Sequence, residues 1–361
     1  FAILHLSNSK GEPTNAIFGF TKTLRLMLKH LQPDLAAVMW DMGLPQRRTE
    51  LQPGYKETRK EMPERMLPQL DYLMELTPIL GFTNIAVPNT EADDMMGCYA
   101  VQAAQRGMEV ILATNDKDLY QLVSPQVKIY STAKADLASQ KDAFALLGEK
   151  EVEQKWEVPP AQIGDVLAIA GDAVDNIKGV GIGRKAAAKL LREFGSLDAL
   201  LAGLDQVKLP KTRDKLETAR ETILQNRKMV ELDCHLPLPV PIADLTIRPD
   251  YPRMIEAMER FEFKSLRREP AHEPAAPATA ATDRGAAASI SSTAAITPSA
   301  SGAIHFSDMR CFIGLLNPRA FPGIGAGTTS ALCAVFTQVP GILGVAASAH
   351  RRGLHYAQRP R

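Results

Sequence analysis

Eleven side chains in this sequence have the types and spacing that metal-assisted phosphoryl chemistry demands. Asp41 closes the apolar run Leu35-Ala-Ala-Val-Met-Trp40, and Glu91, Asp93 and Asp94 follow Thr90 at the start of a helical pattern. Asp116 and Asp118 come directly after Val110-Ile-Leu-Ala-Thr114, while Asp172 and Asp175 stand three apart, a spacing that puts both on one face of a helix. The remaining three are cations of a basic stretch: Arg47, Lys56 and Arg59. Carboxylate oxygens are hard ligands, and with no Cys or His nearby they select Mg²⁺ or Mn²⁺ over zinc. Two like charges 4 Å apart cost about 4 kcal/mol at an effective dielectric of 20, so convergent acids need cations or shifted protonation. Since Mg²⁺ takes one or two carboxylates and keeps waters, this many acids fits two ions, the usual arrangement for in-line displacement at phosphorus.

Each group has a plainer reading. Thr90 with Asp93 has capping-box spacing, and acids favour the first turn of a helix. Asn115 to Asp118 reads equally as a turn after a strand, and Asp172 with Asp175 as a solvated turn. Asp41 alone carries little weight. Only their joint convergence on one cleft gives the chemical reading.

The elements that would position these acids come in the order helix, strand, helix, strand, helix, strand. Apolar periodicity predicts helices over 14–31, 67–80 and 90–106, with strands over 35–40, 82–87 and 110–114. That alternation implies a mainly parallel α/β sheet with sites at the carboxyl ends of its strands. From Glu151 the pattern turns helical, over 151–156, 160–170, 184–194, 196–203, 211–228 and 251–261. Domain divisions follow at 1–150, 151–269 and 270–361. Residues 270–303, rich in Ala, Thr, Ser and Pro, lack side chains large enough to offset the entropy of ordering, and the whole 270–361 tail is expected to be disordered.

Gly179-Val-Gly-Ile-Gly183 precedes the helical Arg184-Lys-Ala-Ala-Ala-Lys-Leu-Leu191. A glycine turn at a helix N-terminus suits a phosphate, with Lys185 and Lys189 adding charge without reading sequence. Gly195 would end that helix and Ser196 cap the next. The basic stretch 47–65 reads as an exposed loop that draws a polyanion toward the acidic cleft. Lys56 and Arg59 are its candidate phosphate contacts, and Tyr55 could stack on a splayed base.

Formal net charge is +1, which excludes a uniformly basic nucleic-acid coat. Residues 271–361 hold seven arginines and three acids, so residues 1–270 carry a net −3. Four scattered cysteines form no zinc or disulfide spacing and fit a reducing cytosol. Residues 320–349 are uncharged, but seven Gly and Pro breaks make them a poor membrane helix.

Taken together, Glu91-Ala-Asp-Asp94, Thr114-Asn-Asp-Lys-Asp-Leu-Tyr-Gln-Leu122, Gly171-Asp-Ala-Val-Asp-Asn176 and Phe194-Gly-Ser-Leu-Asp-Ala-Leu200 resemble the 5′ to 3′ exonuclease domain of bacterial DNA polymerase I and its flap endonuclease relatives. The similarity spans about residues 1–268. It implies a PIN-like sheet, a helical arch near 42–66 and a helix-three-turn-helix DNA-binding subdomain that often holds K⁺ through its backbone. It also implies DNA substrates with 5′ flaps, nicks or RNA primers, service beside a DNA polymerase, and a monomer in the bacterial cytoplasm at the nucleoid. By motif, Asp41, Glu91, Asp93, Asp94, Asp116 and Asp118 become metal-site carboxylates, and Asp172 and Asp175 belong to the second-metal side. Lys56 and Arg59 fall in the arch as catalytic cations. Arg47, Tyr55, Gly179, Gly181, Gly183, Lys185 and Lys189 are DNA-binding candidates. Two departures stand out: the family opens on a central strand ending in Asp-Gly, which this chain lacks, and the glycine turn is one residue short. The first leaves a second reading, a structure-selective DNA-binding module that does not cut. An RNA-directed PIN-type nuclease is a third, which the glycine-turn module argues against.

Overall fold

The computed structural model describes residues 6–57, 63–138, 142–267 and 310–315. Helix α1 (Asn15–Leu31) leads into strand β1 (Leu35–Met42) and the short helix α2 (Gln46–Leu51). Then come α3 (Leu67–Ile79), β2 (Thr83–Pro88), α4 (Ala92–Gln105), β3 (Glu109–Ala113), β4 (Val127–Ser131) and β5 (Ala145–Leu147). A helical series follows: α5 (Glu149–Trp156), α6 (Ile163–Ala170), α7 (Arg184–Phe194), α8 (Leu197–Ala202), α9 (Pro210–Thr218), α10 (Arg220–Val230), α11 (Tyr251–Arg260) and α12 (Lys264–Arg267). A last strand, β6 (Arg310–Leu315), lies within the tail.

The six strands run β2-β1-β6-β3-β4-β5, all parallel except the β4–β5 pair. Burial on both faces explains the continuous apolar strands. Leu35, Ala37 and Met39 join Val110 and Leu112 in one core, which extends through α4 into the helical series. Ala36, Val38 and Trp40 join Ile111 and Ala113 in a second core, beneath α1, α3 and α11. Strand period two thus divides β1 between the two sides. Because β1 and β3 are parallel to their common neighbour, their carboxyl ends share one edge, and Asp41 and Asp116 lie there.

Four expectations change. The helix expected over 211–228 is two, meeting at Ala219: α10 turns so that Ile223, Asn226 and Met229 are buried, and Asn226 Nδ2 donates to the Ala168 and Lys178 carbonyls. The exposed basic loop contains α2 and buries both Arg48 and Lys56. Asp172 and Asp175 do not share a helix face; they lie in a tight loop where Asp172 and Ile177 exchange backbone hydrogen bonds of 2.8 and 2.7 Å. Finally, residues 310–315 form a strand in a tail expected to be disordered, because their backbone groups pair with β1 on one side and β3 on the other, which outweighs the local composition. The rest of that tail and Arg59 lie outside the described residues.

Candidate active site

Asp41 arrives on β1 and its Oδ1 accepts the Ala92 backbone N–H at 2.5 Å. Ala92 is the first residue of α4, so a carboxylate from a neighbouring strand caps the helix that carries Asp93 and Asp94. The expected Thr90 capping box is not what forms: Thr90 Oγ1 donates to the Pro88 carbonyl instead.

Asp116 is set by a turn. Its N–H donates to Thr114 Oγ1 at 2.9 Å, and its own Oδ1 accepts the Asp118 N–H at 3.0 Å. The turn reading of this motif is therefore true locally, and the turn presents two acids at the end of β3. Asp172 Oδ1 likewise accepts the Val174 N–H at 3.0 Å. One carboxylate oxygen each from Asp118, Asp172 and Asp175 lies within 4.8 Å of the others. These three come from a β3 turn and the loop after α6, which sequence separates by more than fifty positions.

All eight predicted carboxylates are buried, with Glu91, Asp116 and Asp175 at 2% exposure or less. Buried charge must be compensated. Three cations supply part of that compensation. Arg48 forms a fork to Asp94, Nη1 to Oδ2 at 2.8 Å and Nη2 to Oδ1 at 2.9 Å, and Nη1 also donates to Glu91. Its Nε donates to the Met229 carbonyl at 3.0 Å and Nη2 to the Glu231 carbonyl at 2.9 Å, so one guanidinium ties α2, α4 and the end of α10 together. Burial opposes the Arg48 charge, yet Asp94, with Tyr55 and Asp93, holds its pKa above the ordinary arginine value. Lys56 donates to Glu91, and Lys117 donates to Asp172 while lying 3.4 Å from Asp118. Buried carboxylates drawn together in this way form a donor set that favours positive charge.

Lys56 is fixed at both ends. Its backbone N–H donates to the Asp175 carbonyl at 3.3 Å, and neighbouring Asn176 and Gln52 bond across the same seam. The base of the basic stretch is thereby docked on the Asp172–Asp175 loop. Tyr55 is buried, with its hydroxyl 3.2 Å from Glu91, so this arrangement does not present it to a base; its ring is sealed into the core beneath the acids. Arg47 remains half exposed beside Glu231.

The three glycines of the turn have different reasons. A Cβ on Gly179 would meet the Ala170 carbonyl oxygen at 2.0 Å, so this residue is glycine for close packing against Gly171. Gly181 has φ +73, which L side chains rarely adopt, and its carbonyl accepts from Lys215 Nζ at 2.7 Å. Gly183 has open space around it and is the N-cap of α7. Lys185 and Lys189 are exposed on α7, and Gly195 and Ser196 end that helix and cap α8 as anticipated.

Arg48 and Lys117 escaped sequence reasoning as site residues. Arg48 was hidden in a run of cations whose composition reads as solvent-exposed, whereas Lys117 sits inside the Asp116–Asp118 motif and could have been found there.

The 5′-3′ exonuclease N-terminal resolvase-like domain matches residues 1–157, and the 5′-3′ exonuclease C-terminal SAM fold matches residues 158–252. The chain belongs to the 5′–3′ exonuclease family. Thermostable DNA polymerase I of Thermus thermophilus is 38% identical over 267 residues, 74% of this chain and 31% of that protein. DNA polymerase I of Caldicellulosiruptor bescii is 35% identical over 271 residues, again 74% and 31%. The chain thus spans about a third of the length of these curated relatives. Among solved structures, T5 5′-exonuclease with bound divalent zinc ions superposes with a TM-score of 0.50 at 26% identity, covering 63% of this chain and 84% of that one. The fold of this 5′–3′ exonuclease family member is accordingly a PIN-like α/β sheet with a helical annex. No helix among the described residues is long and apolar enough to cross a membrane.

Proposed function

We propose that this chain is a structure-selective 5′-nuclease that hydrolyses DNA phosphodiesters with two Mg²⁺ or Mn²⁺ ions, in primer removal and repair. One observation carries the reading: eight carboxylates from separate elements are each buried, and Asp118, Asp172 and Asp175 have oxygens within 4.8 Å of one another. The donor set is all carboxylate, which fits hard divalent ions. Asp118, Asp172 and Asp175 would hold one ion, and Asp41, Glu91, Asp93, Asp94 and Asp116 the other. Bound ions would lower the pKa of an attacking water and offset charge on the leaving 3′ oxygen.

The protein's own groups divide the remaining work. Arg48 orients Asp94 and Glu91. Lys56, at the base of the basic stretch, meets the scissile phosphate, exchanging its Glu91 contact for it. Lys185 and Lys189 with the Gly179–Gly183 turn hold the duplex backbone, so that residues 151–269 grip and also lend Asp172 and Asp175 to the acids of residues 1–150 that cut. Lys215 already gives the Gly181 carbonyl the positive partner expected of K⁺. Relatives named DNA polymerase I support work beside a polymerase, and 5′ flaps, nicks and RNA primers are the substrates we propose, with the chain a monomer in the cytoplasm.

One observation favours the second reading, a module that binds but does not cut. The central strand Arg310–Leu315 has no acidic residue, so it brings no carboxylate to the catalytic edge. A labelled 5′-flap duplex tests both. Release of the flap with Mg²⁺, abolished by EDTA, is expected; retained binding without cleavage would install the second reading, and absence of binding would remove both.

A further inference from the structure

Three hydrogen bonds outside any helix or ladder fasten the chain after α2 to the acidic loop after α6. Asn176 Nδ2 donates to the Gly54 carbonyl at 2.8 Å, Gln52 Nε2 donates to the Asn176 carbonyl at 2.7 Å, and the Lys56 N–H donates to the Asp175 carbonyl at 3.3 Å. Both sides of this seam carry an unusual backbone, since Asn176 and Lys56 each have φ +60. Asparagine enters the left-handed region several-fold more often than most residues, whereas a lysine stays there only where its surroundings over-determine it. Here the seam supplies those surroundings. Both of its edges also carry site groups: Asp175 belongs to the carboxylate trio with Asp118 and Asp172, and Lys56 sets its ammonium on Glu91. Asn176 is half buried and belongs to neither group, yet it touches the chain that carries both.

We propose that Asn176 is a positioning residue: its left-handed backbone and its amide latch residues 52–56 onto the Asp172–Asp175 loop, so that Lys56 and Asp175 are held as one unit. A divalent ion held by Asp118, Asp172 and Asp175 would then steady the basic stretch through the latch. By linkage, the latch raises the affinity for that ion by the same factor. Gln225 Nε2 also donates to the Leu51 carbonyl at 2.7 Å, so this stretch stays tied to α10 when the latch is cut. The latch rests on hydrogen bonds; only its consequence for cleavage rests on the nuclease reading.

The test is hydrogen exchange on the full chain, with and without Mg²⁺, comparing wild type with Asn176→Gly, which keeps the positive φ and removes the amide. In the wild type, Mg²⁺ should slow exchange of the Lys56 amide about fivefold or more. In Asn176→Gly that amide should exchange at least about tenfold faster and no longer respond to Mg²⁺, with amides of α1 and α8 unchanged. Calorimetry should show Mg²⁺ binding weakened about three- to tenfold. Gln52→Ala cuts the seam from its other side and should act alike, which keeps the test decisive if the glycine variant does not fold. Unchanged Lys56 exchange in either folded variant would overturn the proposal. So would equal acceleration throughout α1 and α8, because Asn176 would then hold the fold in general. Flap binding without cleavage would instead sink the nuclease reading and leave the latch standing, since exchange needs no turnover.

Discussion

Arg48 grips Asp94 through two parallel hydrogen bonds of 2.8 and 2.9 Å, and both side chains are almost wholly removed from solvent. Planar guanidinium and carboxylate match in this geometry, which an ammonium cannot reproduce. The same guanidinium reaches Glu91 and two backbone carbonyls at the end of α10, so the acid cluster is braced from the helical side.

Removing that brace exposes the repulsion it hides. Arg48→Ala should destabilise the apoprotein by about 3–5 kcal/mol, because buried Asp94 loses its guanidinium and Glu91 loses one of its two cations. Arg48→Lys should recover only part. Thermal unfolding with and without Mg²⁺ reads this out: millimolar Mg²⁺ should raise the melting temperature of Arg48→Ala more than that of the wild type. An equal rise in both would mean the guanidinium and the ion site are not coupled.

Asp116 anchors the turn that presents Asp118. Asp116→Ala is expected to abolish flap cleavage and leave DNA binding largely intact, since the exposed Lys185 and Lys189 are far from the change in sequence and lie on α7. Cleavage and fluorescence anisotropy on the same labelled flap separate the two properties. Full cleavage by this variant would refute the site assignment.

Lys56 joins Glu91 to the Asp175 backbone. Lys56→Ala should slow cleavage by about a hundredfold and lower the slope of log binding constant against log salt by about one, if its ammonium moves to phosphate when DNA arrives. Titration across a salt series checks the second part. A slope equal to wild type would confine Lys56 to the acid cluster.

Glycines of the turn should respond unequally. Gly179→Ala would drive a Cβ onto the Ala170 carbonyl and should cost about 3 kcal/mol or more. Gly183→Ala meets nothing within 4 Å and should cost no more than about 1 kcal/mol, as an N-cap change. Urea unfolding of both variants gives the comparison; similar losses would contradict the packing explanation.

Sequence by itself determined the local units and their chemistry. The alternation of helix and strand from Thr14 to Thr114 is written in apolar periods, and the acids at element ends are visible because carboxylates are out of place beside apolar runs. The motifs around Glu91, Asp116 and Asp172 also carry the family, which the matches over residues 1–252 show. What tertiary structure alone decided is which groups meet. Nothing in the run Gln46-Arg-Arg-Thr49 says that Arg48 turns inward while Arg47 stays half exposed; that depends on Asp94 and Glu91 waiting across a helix boundary. Tyr55 reads as a surface aromatic until the Asp172–Asp175 loop docks over its neighbour Lys56. Strand β6 is the extreme case: six residues inside a low-complexity tail lie at the centre of a sheet, because backbone pairing with β1 and β3, not local propensity, makes them a strand.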